Sequence, residues 1–268
     1  MKSRGEEKME TKKQYLEQKK EMKKEYKRLK KENKKEYRNK KRVLKEEYKN
    51  SLPTINYNDN TVPHRSVLEE IGNATTHGVG SIFSIFALVM MLIYQDSTIK
   101  LISALIYFFG LFFMFTMSCL YHSVKYGTIV KKVFRRFDYT SIYLLIGSTF
   151  APILLSYIGG TYGIVFCIIQ WVIIITGITL VCVFGPHKLR FIHIPLYFIL
   201  GWSALLFLPR MIQNDLMFFI IILIGGVVYS LGIIPFAMKK KVAHFIWHFF
   251  VLFGAIIQWI GIFLYIYK

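Results

Sequence analysis

From residue 75 to the C-terminus, long apolar runs alternate with short polar interruptions. Seven runs stand out, at about 75–94, 101–120, 139–158, 162–183, 192–208, 216–236 and 242–267. Each comes close to the ~20 helical residues needed to cross a hydrocarbon core. None alternates apolar and polar positions with a period of two, and backbone polar groups cannot be left bare in lipid, so spanning helices are the expected form. The expectation is an all-α integral membrane protein, a seven-transmembrane helix bundle.

The polar interruptions carry charge unevenly. Those after the second, fourth and sixth runs hold Lys125, Lys131, Lys132, Arg135, Arg136, Lys188, Arg190, Lys239, Lys240 and Lys241, whereas the alternate ones hold only Lys100, Arg210 and Lys268. Ten cations against three satisfies the positive-inside bias with the N-terminus cytosolic and the C-terminus outside. The setting this implies is a multi-pass protein of the cell (plasma) membrane.

The first 64 residues are a different object. Residues 1–50 hold 21 of the 35 Lys and Arg and 10 of the 16 Asp and Glu, a net charge of +11 in that stretch. They contain no apolar run that could serve as a cleavable leader, so insertion falls to the first spanning helix. Tyr15, Tyr26, Tyr37 and Tyr48 recur every eleven residues, which is three turns at ~3.67 residues per turn, and so drift little around a straight helix. With Met22, Leu29 and Leu44 they draw a thin apolar stripe on a basic cylinder. Two readings stand side by side: an interfacial helix lying on anionic lipid, and a solvated, partly helical charge run. No nucleic-acid-binding module accompanies the charge, so nucleic acid is not expected as a partner. The chain thus divides into a basic cytosolic tail, 1–64, and a membrane domain, 65–268. Cys119, Cys167 and Cys182 lie inside apolar runs without pairing or CxxC spacing and read as packing residues.

Chemistry is to be sought among the few polar groups at membrane depth, since each is costly without a partner, a cavity or a metal. Three separate segments bring such groups to the side that the charge bias calls cytosolic. The second run ends with Ser118 and His122, the third begins with Asp138, and the seventh begins with His244 and His248. Residues four apart share a helix face, so each pair points one way. Three neutral imidazoles from two helices are the usual protein ligands of a catalytic Zn²⁺, with a fourth position left for water. Asp138 could accept a proton from that water and Ser118 could orient it or a substrate oxygen. The plainer alternative is that these are hydrogen-bonded interfacial histidines, with Asp138 ion-paired to Arg135 or Arg136.

The stretches EEIGNATTHGVG at 69–80, SCLYHS at 118–123, FDYTS at 137–141, GGVVYSLGIIPF at 225–236 and HFIWHFF at 244–250 together resemble the signature of the hemolysin III family. That bacterial group is similar to the adiponectin and progestin receptors and, more distantly, to alkaline ceramidases. The resemblance runs from about residue 65 to the C-terminus and leaves the tail out. It implies a seven-helix fold, with zinc on His122, His244 and His248 near the cytosolic side and Asp138 and Ser118 beside it. It also implies hydrolysis of a lipid amide in the better understood relatives. Glu70, Asn73 and His77 match the first motif and share a face at the start of the first helix, either supporting the site from behind or capping the helix.

Two classes of function follow. One is a zinc-dependent intramembrane hydrolase of a lipid amide or ester, with membrane lipids as the source of its substrate. The other is a non-enzymatic protein: a sensor or regulator of membrane state, or the pore-forming cytolysin that the family name suggests. The polar groups gather at one end of otherwise apolar helices, which disfavours a conducting pore. His187 and His193 read as interfacial, Gly225, Gly226 and Gly232 as close-packing positions, and Pro235 as a kink.

Overall fold

Helix ends that the apolar runs alone do not reveal are set by capping. A computed structural model describes residues 4–51, 62–238 and 240–268, with side chains of the first stretch described over 16–47. Helix α2, Val67–Tyr94, starts eight residues before its apolar run because Ser66 and Glu69 form a reciprocal capping box. Helix α4 starts ten residues early, at Ile129, where the Thr128 hydroxyl accepts from the Lys131 N–H. These added turns are amphipathic, so a hydropathy pattern stops short of them. They also carry Glu70, Asn73 and Asp138.

Between α2 and α4 lies α3, Thr98–Ser123. α4 runs to Ala151 and continues as a π-helical stretch, Pro152–Ile158, the ladder loosening where proline removes a donor. Gly159 and Gly160, both at φ +62°, turn the chain into α5, Gly160–Phe184, a conformation that side-chain-bearing residues rarely adopt. Then come α6, Arg190–Trp202, a 3₁₀ stretch, Ser203–Phe207, and α7, Leu208–Ala237. The last helix, α8, Ala243–Ile262, ends in a π-helical turn, Phe263–Tyr267.

Among the described residues there is no strand, and six helical segments are long and apolar enough to cross a membrane. The fifth of these, Arg190–Ala237, is 48 residues long and takes in both the fifth and the sixth apolar runs. Its only residue with non-helical dihedrals inside a helix is Asp215. The outer face of α5 exposes Ile168, Val172 and Ile175, and the hydroxyls of the exposed Thr176 and Thr179 turn back onto the Val172 and Ile175 carbonyls, as a lipid-facing helix should arrange them.

Residues 1–60 and 61–268 form two compact units. In the first, α1, Arg4–Ser51, is a single 48-residue helix. Tyr26 and Tyr37 project from it, each about two-thirds exposed, as does Met22; the side chains of Tyr15 and Tyr48 lie outside the described residues. In the second, α3 packs between α2 and α4, α7 against α8, and α8 returns to α2 to close the bundle. The core is lined by Tyr107, Leu111, Phe115, Phe218 and Ile262. At the end of the bundle where α3 starts and α8 finishes, the Ser103 hydroxyl meets those of Ser156 and Tyr267 at 3.0 and 2.8 Å. The Tyr267 hydroxyl also donates to the Lys100 carbonyl at 2.9 Å. Of the three cysteines none is paired; Cys119 and Cys167 are half-buried and Cys182 is exposed.

Candidate metal centre

At the opposite end, the start of α2, the end of α3, the start of α4 and the start of α8 meet. His122 comes from the last turn of α3, while His244 and His248 come from successive turns of α8. One ring nitrogen from each lies within 4.8 Å of the others, a group that could hold a metal ion. His122 and His248 are buried and His244 is half-buried.

Hydrogen bonds behind the rings decide which nitrogen faces the centre. His122 Nδ1 lies 2.5 Å from Glu70 Oε2, with the Asn73 amide 3.3 Å away, so Nδ1–H donates to the carboxylate. His122 Nε2 is then a bare lone pair, buried and without a partner. His248 Nδ1 donates to the Asn73 carbonyl at 3.2 Å, which leaves its Nε2 facing His244 Nε2, also at 3.2 Å. Two nitrogens on a tetrahedral zinc stand about 3.3 Å apart, given Zn–N bonds of about 2.0–2.1 Å. The α8 pair already has that spacing. The widest spacing in the set, 4.8 Å, exceeds it by about 1.5 Å. An orphaned buried acceptor and two facing imidazole nitrogens are what a bound cation would satisfy, so the donor set fits a divalent metal that favours nitrogen.

Glu70, Asn73 and His77 thus all touch the histidines. Glu70 bonds His122, the Asn73 backbone bonds His248, and the His77 ring stacks on that of His248 with centroids 3.7 Å apart and planes 16° from parallel. His77 also meets the edge of Phe115. The capping of α2 falls to Ser66 and Glu69 instead. Glu69 also reaches across to accept the Val242 N–H at 2.6 Å, just before His244. Val242 stands at φ +66°, a left-handed conformation unusual for a β-branched residue, and the Glu69 bond holds it at the start of α8.

Asp138, half-buried on α4, takes a hydrogen bond from the buried Ser118 hydroxyl of α3, and the His122, Arg65 and Arg135 side chains lie near enough to act on it electrostatically. Arg135 is itself buried, its guanidinium 5.5 Å from the Tyr139 ring centre, whereas Arg136 is exposed.

Sequence reasoning missed two features. Lys131, counted only as a cytosolic-side cation, is 1% exposed and bonds Glu70 at 2.9 Å. A signal was present: Lys131, Arg135 and Asp138 are spaced four and three apart, so one face of α4 carries all three inward. His193, expected at the interface, is buried and meets the Tyr143 hydroxyl at 2.9 Å. Of the three glycines read as packing positions, Gly225 and Gly232 abut Gln258 and Trp247 of α8, while Gly226 faces open space.

The bundle and its one-ended histidine cluster define a multi-pass helical membrane protein with a candidate metal centre. Residues 65–259 match the family model described as "Haemolysin-III related". The chain is 34% identical over 205 residues to "Hemolysin-3" of Bacillus cereus, covering 75% of this chain and 93% of that protein. It is 31% identical over 195 residues to "Hemolysin-3 homolog" of Bacillus subtilis (strain 168), covering 71% and 91%. It is also 27% identical over 209 residues to human "Monocyte to macrophage differentiation factor", covering 75% and 85%. The chain belongs to the haemolysin III family, and its membrane domain lies within the match up to residue 259.

Proposed function

We propose that this protein is a zinc-dependent membrane hydrolase that cleaves a lipid amide or ester at the positively charged, cytosolic end of its bundle. The observation that carries the reading is the convergence of His122, His244 and His248 beside a hydrogen-bonded Asp138–Ser118 pair. Zinc bound there would polarise the scissile carbonyl and acidify water at neutral pH. The Asp138 carboxylate accepts the proton that water gives up and returns it to the leaving nitrogen or oxygen. Ser118 holds Asp138 in place from α3. The acyl chain lies along the apolar helices, whose walls keep bulk water from the reacting carbon.

The same reading includes the topology. At about 1.5 Å per residue a 48-residue helix would be about 72 Å long, against a hydrocarbon core of about 30 Å. Segment 190–237 therefore crosses twice, turning between the 3₁₀ stretch and the Asp215 break, which gives seven crossings and puts the termini on opposite sides.

The test is turnover of fluorescent N-acyl and O-acyl lipids by purified protein in nanodiscs. Release of free fatty acid that falls about 10²- to 10⁴-fold in Asp138→Asn, with zinc still bound, is expected. No turnover of either class by the zinc-loaded protein, together with dye release from vesicles that Asp138→Ala blocks, would replace the hydrolase with a pore.

For the tail we infer a surface that lies on anionic lipid. Over residues 16–47 the helix carries 15 Lys and Arg against 7 Asp and Glu. That excess opposes pairing with a second copy and favours a negatively charged bilayer, at about 1 kcal/mol per cation near the surface. A peptide of residues 10–50 should gain helicity on vesicles containing phosphatidylserine and release in high salt. Unchanged helicity on those vesicles would rule this out.

A further inference from the structure

A lysine buried at the end of a membrane bundle needs an explanation, and Lys131 has a complete one. Its ammonium has three protons, and three acceptors surround it: Glu70 Oε1 at 2.9 Å, the Tyr121 carbonyl at 3.0 Å and the Val124 carbonyl at 3.1 Å. The nitrogen also sits 4.7 Å over the Tyr121 ring. Tyr121 and Val124 bracket the C-terminus of α3, where carbonyls have no partner within the helix and a cation is favoured. Those two residues flank His122. Lys131 therefore grips His122 from both sides, through the helix end that carries it and through the carboxylate that receives its Nδ1–H.

We propose that Lys131 is a positioning residue of the metal centre: by holding Glu70 and the end of α3 together, it selects the His122 tautomer that offers Nε2 to the metal. The Glu70 carboxylate has two oxygens with separate duties. Oε1 is bound by Lys131, so Oε2 is turned to His122. Lys131 is the only cation bonded to Glu70 among the described residues, and removing it frees the carboxylate to rotate and compete for other donors. His122 could then carry its proton on Nε2, the position the metal needs bare. Partners that orient a metal-binding imidazole typically account for 10- to 100-fold in affinity. This role rests on the metal reading of the three histidines, but the tautomer can be observed without any metal.

The experiment compares the full-length wild type with Lys131→Met, Lys131→Gln and Glu70→Gln in detergent. Ring ¹⁵N shifts of the metal-free protein should show the Nδ1–H form at His122 in the wild type and a mixture in Lys131→Met. Cobalt affinity, measured by chelator competition, should fall about 10- to 100-fold in Lys131→Met and Glu70→Gln. Lys131→Met combined with Glu70→Gln should bind cobalt no more weakly than Glu70→Gln alone, since both act through one contact. Lys131→Gln keeps a donor for the α3 carbonyls and tests the same point should the methionine variant fail to fold. Wild-type tautomer and cobalt affinity within twofold in a folded Lys131→Gln would reduce Lys131 to a helix cap and overturn the inference alone. Absence of cobalt and zinc binding by the wild type would overturn it together with the proposed function.

Discussion

The site needs Ser118 on α3 to meet Asp138 on α4, and that register is set at a notch deeper in the bundle. A Cβ added to Gly110 would lie 2.0 Å from Ser148 Oγ, 2.4 Å from Ser148 Cβ and 2.7 Å from the Leu144 carbonyl oxygen. Gly110 is eight residues before Ser118 and Ser148 ten after Asp138, about 12 and 15 Å along two antiparallel helices. Gly110→Ala must therefore push α3 and α4 apart. Overpacking of this kind costs about 1–3 kcal/mol, and one contact is backbone that cannot rotate away, which favours the upper part of the range. At about 2–4 °C per kcal/mol for a domain of this size, thermal unfolding in detergent should come down by about 2–12 °C. Ser148→Gly removes the two nearest atoms at the cost of a helical glycine, about 1 kcal/mol, and leaves only the 2.7 Å contact. The double variant should accordingly lose much less than the sum of the two single ones. Additivity within about 0.5 kcal/mol, the behaviour of sites that do not touch, would refute the close approach and with it the register that joins Ser118 to Asp138.

Three further outcomes follow from the same structure. Chelation should lower the unfolding temperature of zinc-loaded wild type and leave His244→Ala unchanged; zinc at 100 times its dissociation constant contributes about 2.7 kcal/mol, or about 5–11 °C, followed by scanning fluorimetry with metal analysis. Tyr267→Phe removes the hydroxyl that joins Ser103 and the Lys100 carbonyl, so it should cost about 1–3 kcal/mol in thermal unfolding yet leave zinc affinity unaltered, because it acts at the far end of the bundle. Glu69→Ala removes the carboxylate that accepts from the Ser66 N–H in the α2 capping box and from the Val242 N–H; about 1 kcal/mol of stability should go, and hydrogen exchange should quicken at the first turn of α8.

Much of the membrane domain was legible because lipid imposes a simple code. Apolar length marks a spanning helix, and cations mark one side. The same code hid the helix starts. Residues 67–74 and 129–138 are polar enough to look like loop, yet Ser66 and Thr128 cap them into helix, and a period of 3.6 rather than mean hydropathy carries that information. The same code reads 190–237 as two runs, which the structure joins through a 3₁₀ stretch, with non-helical dihedrals at Asp215. Hydropathy reports where a chain is apolar, and the hydrogen-bond ladder can continue through an interruption.

The candidate site divides along a similar line. That His122, His244 and His248 come together as a group that could hold a metal ion was legible in the four-residue spacing of the α8 pair and in the charge bias that assigns the end of α3 and the start of α8 to one side. The burial of His193 was not legible because its partner, Tyr143, is 50 residues away and no local pattern announces such a contact. Lys131 is the more instructive case. The cytosolic-side bias already supplies a reason for its charge, which masks the face it shares with Asp138. A cation at a helix start opposes the local helix dipole, which favours negative charge there. Lys131 stands at such a start, and the carboxylate and carbonyls that compensate it come from α2 and α3, the helices that frame His122. In membrane proteins the positive-inside rule supplies a ready reason for nearly every lysine near a bilayer surface. The lysines that serve a site are those whose helical phase points them inward against that reason.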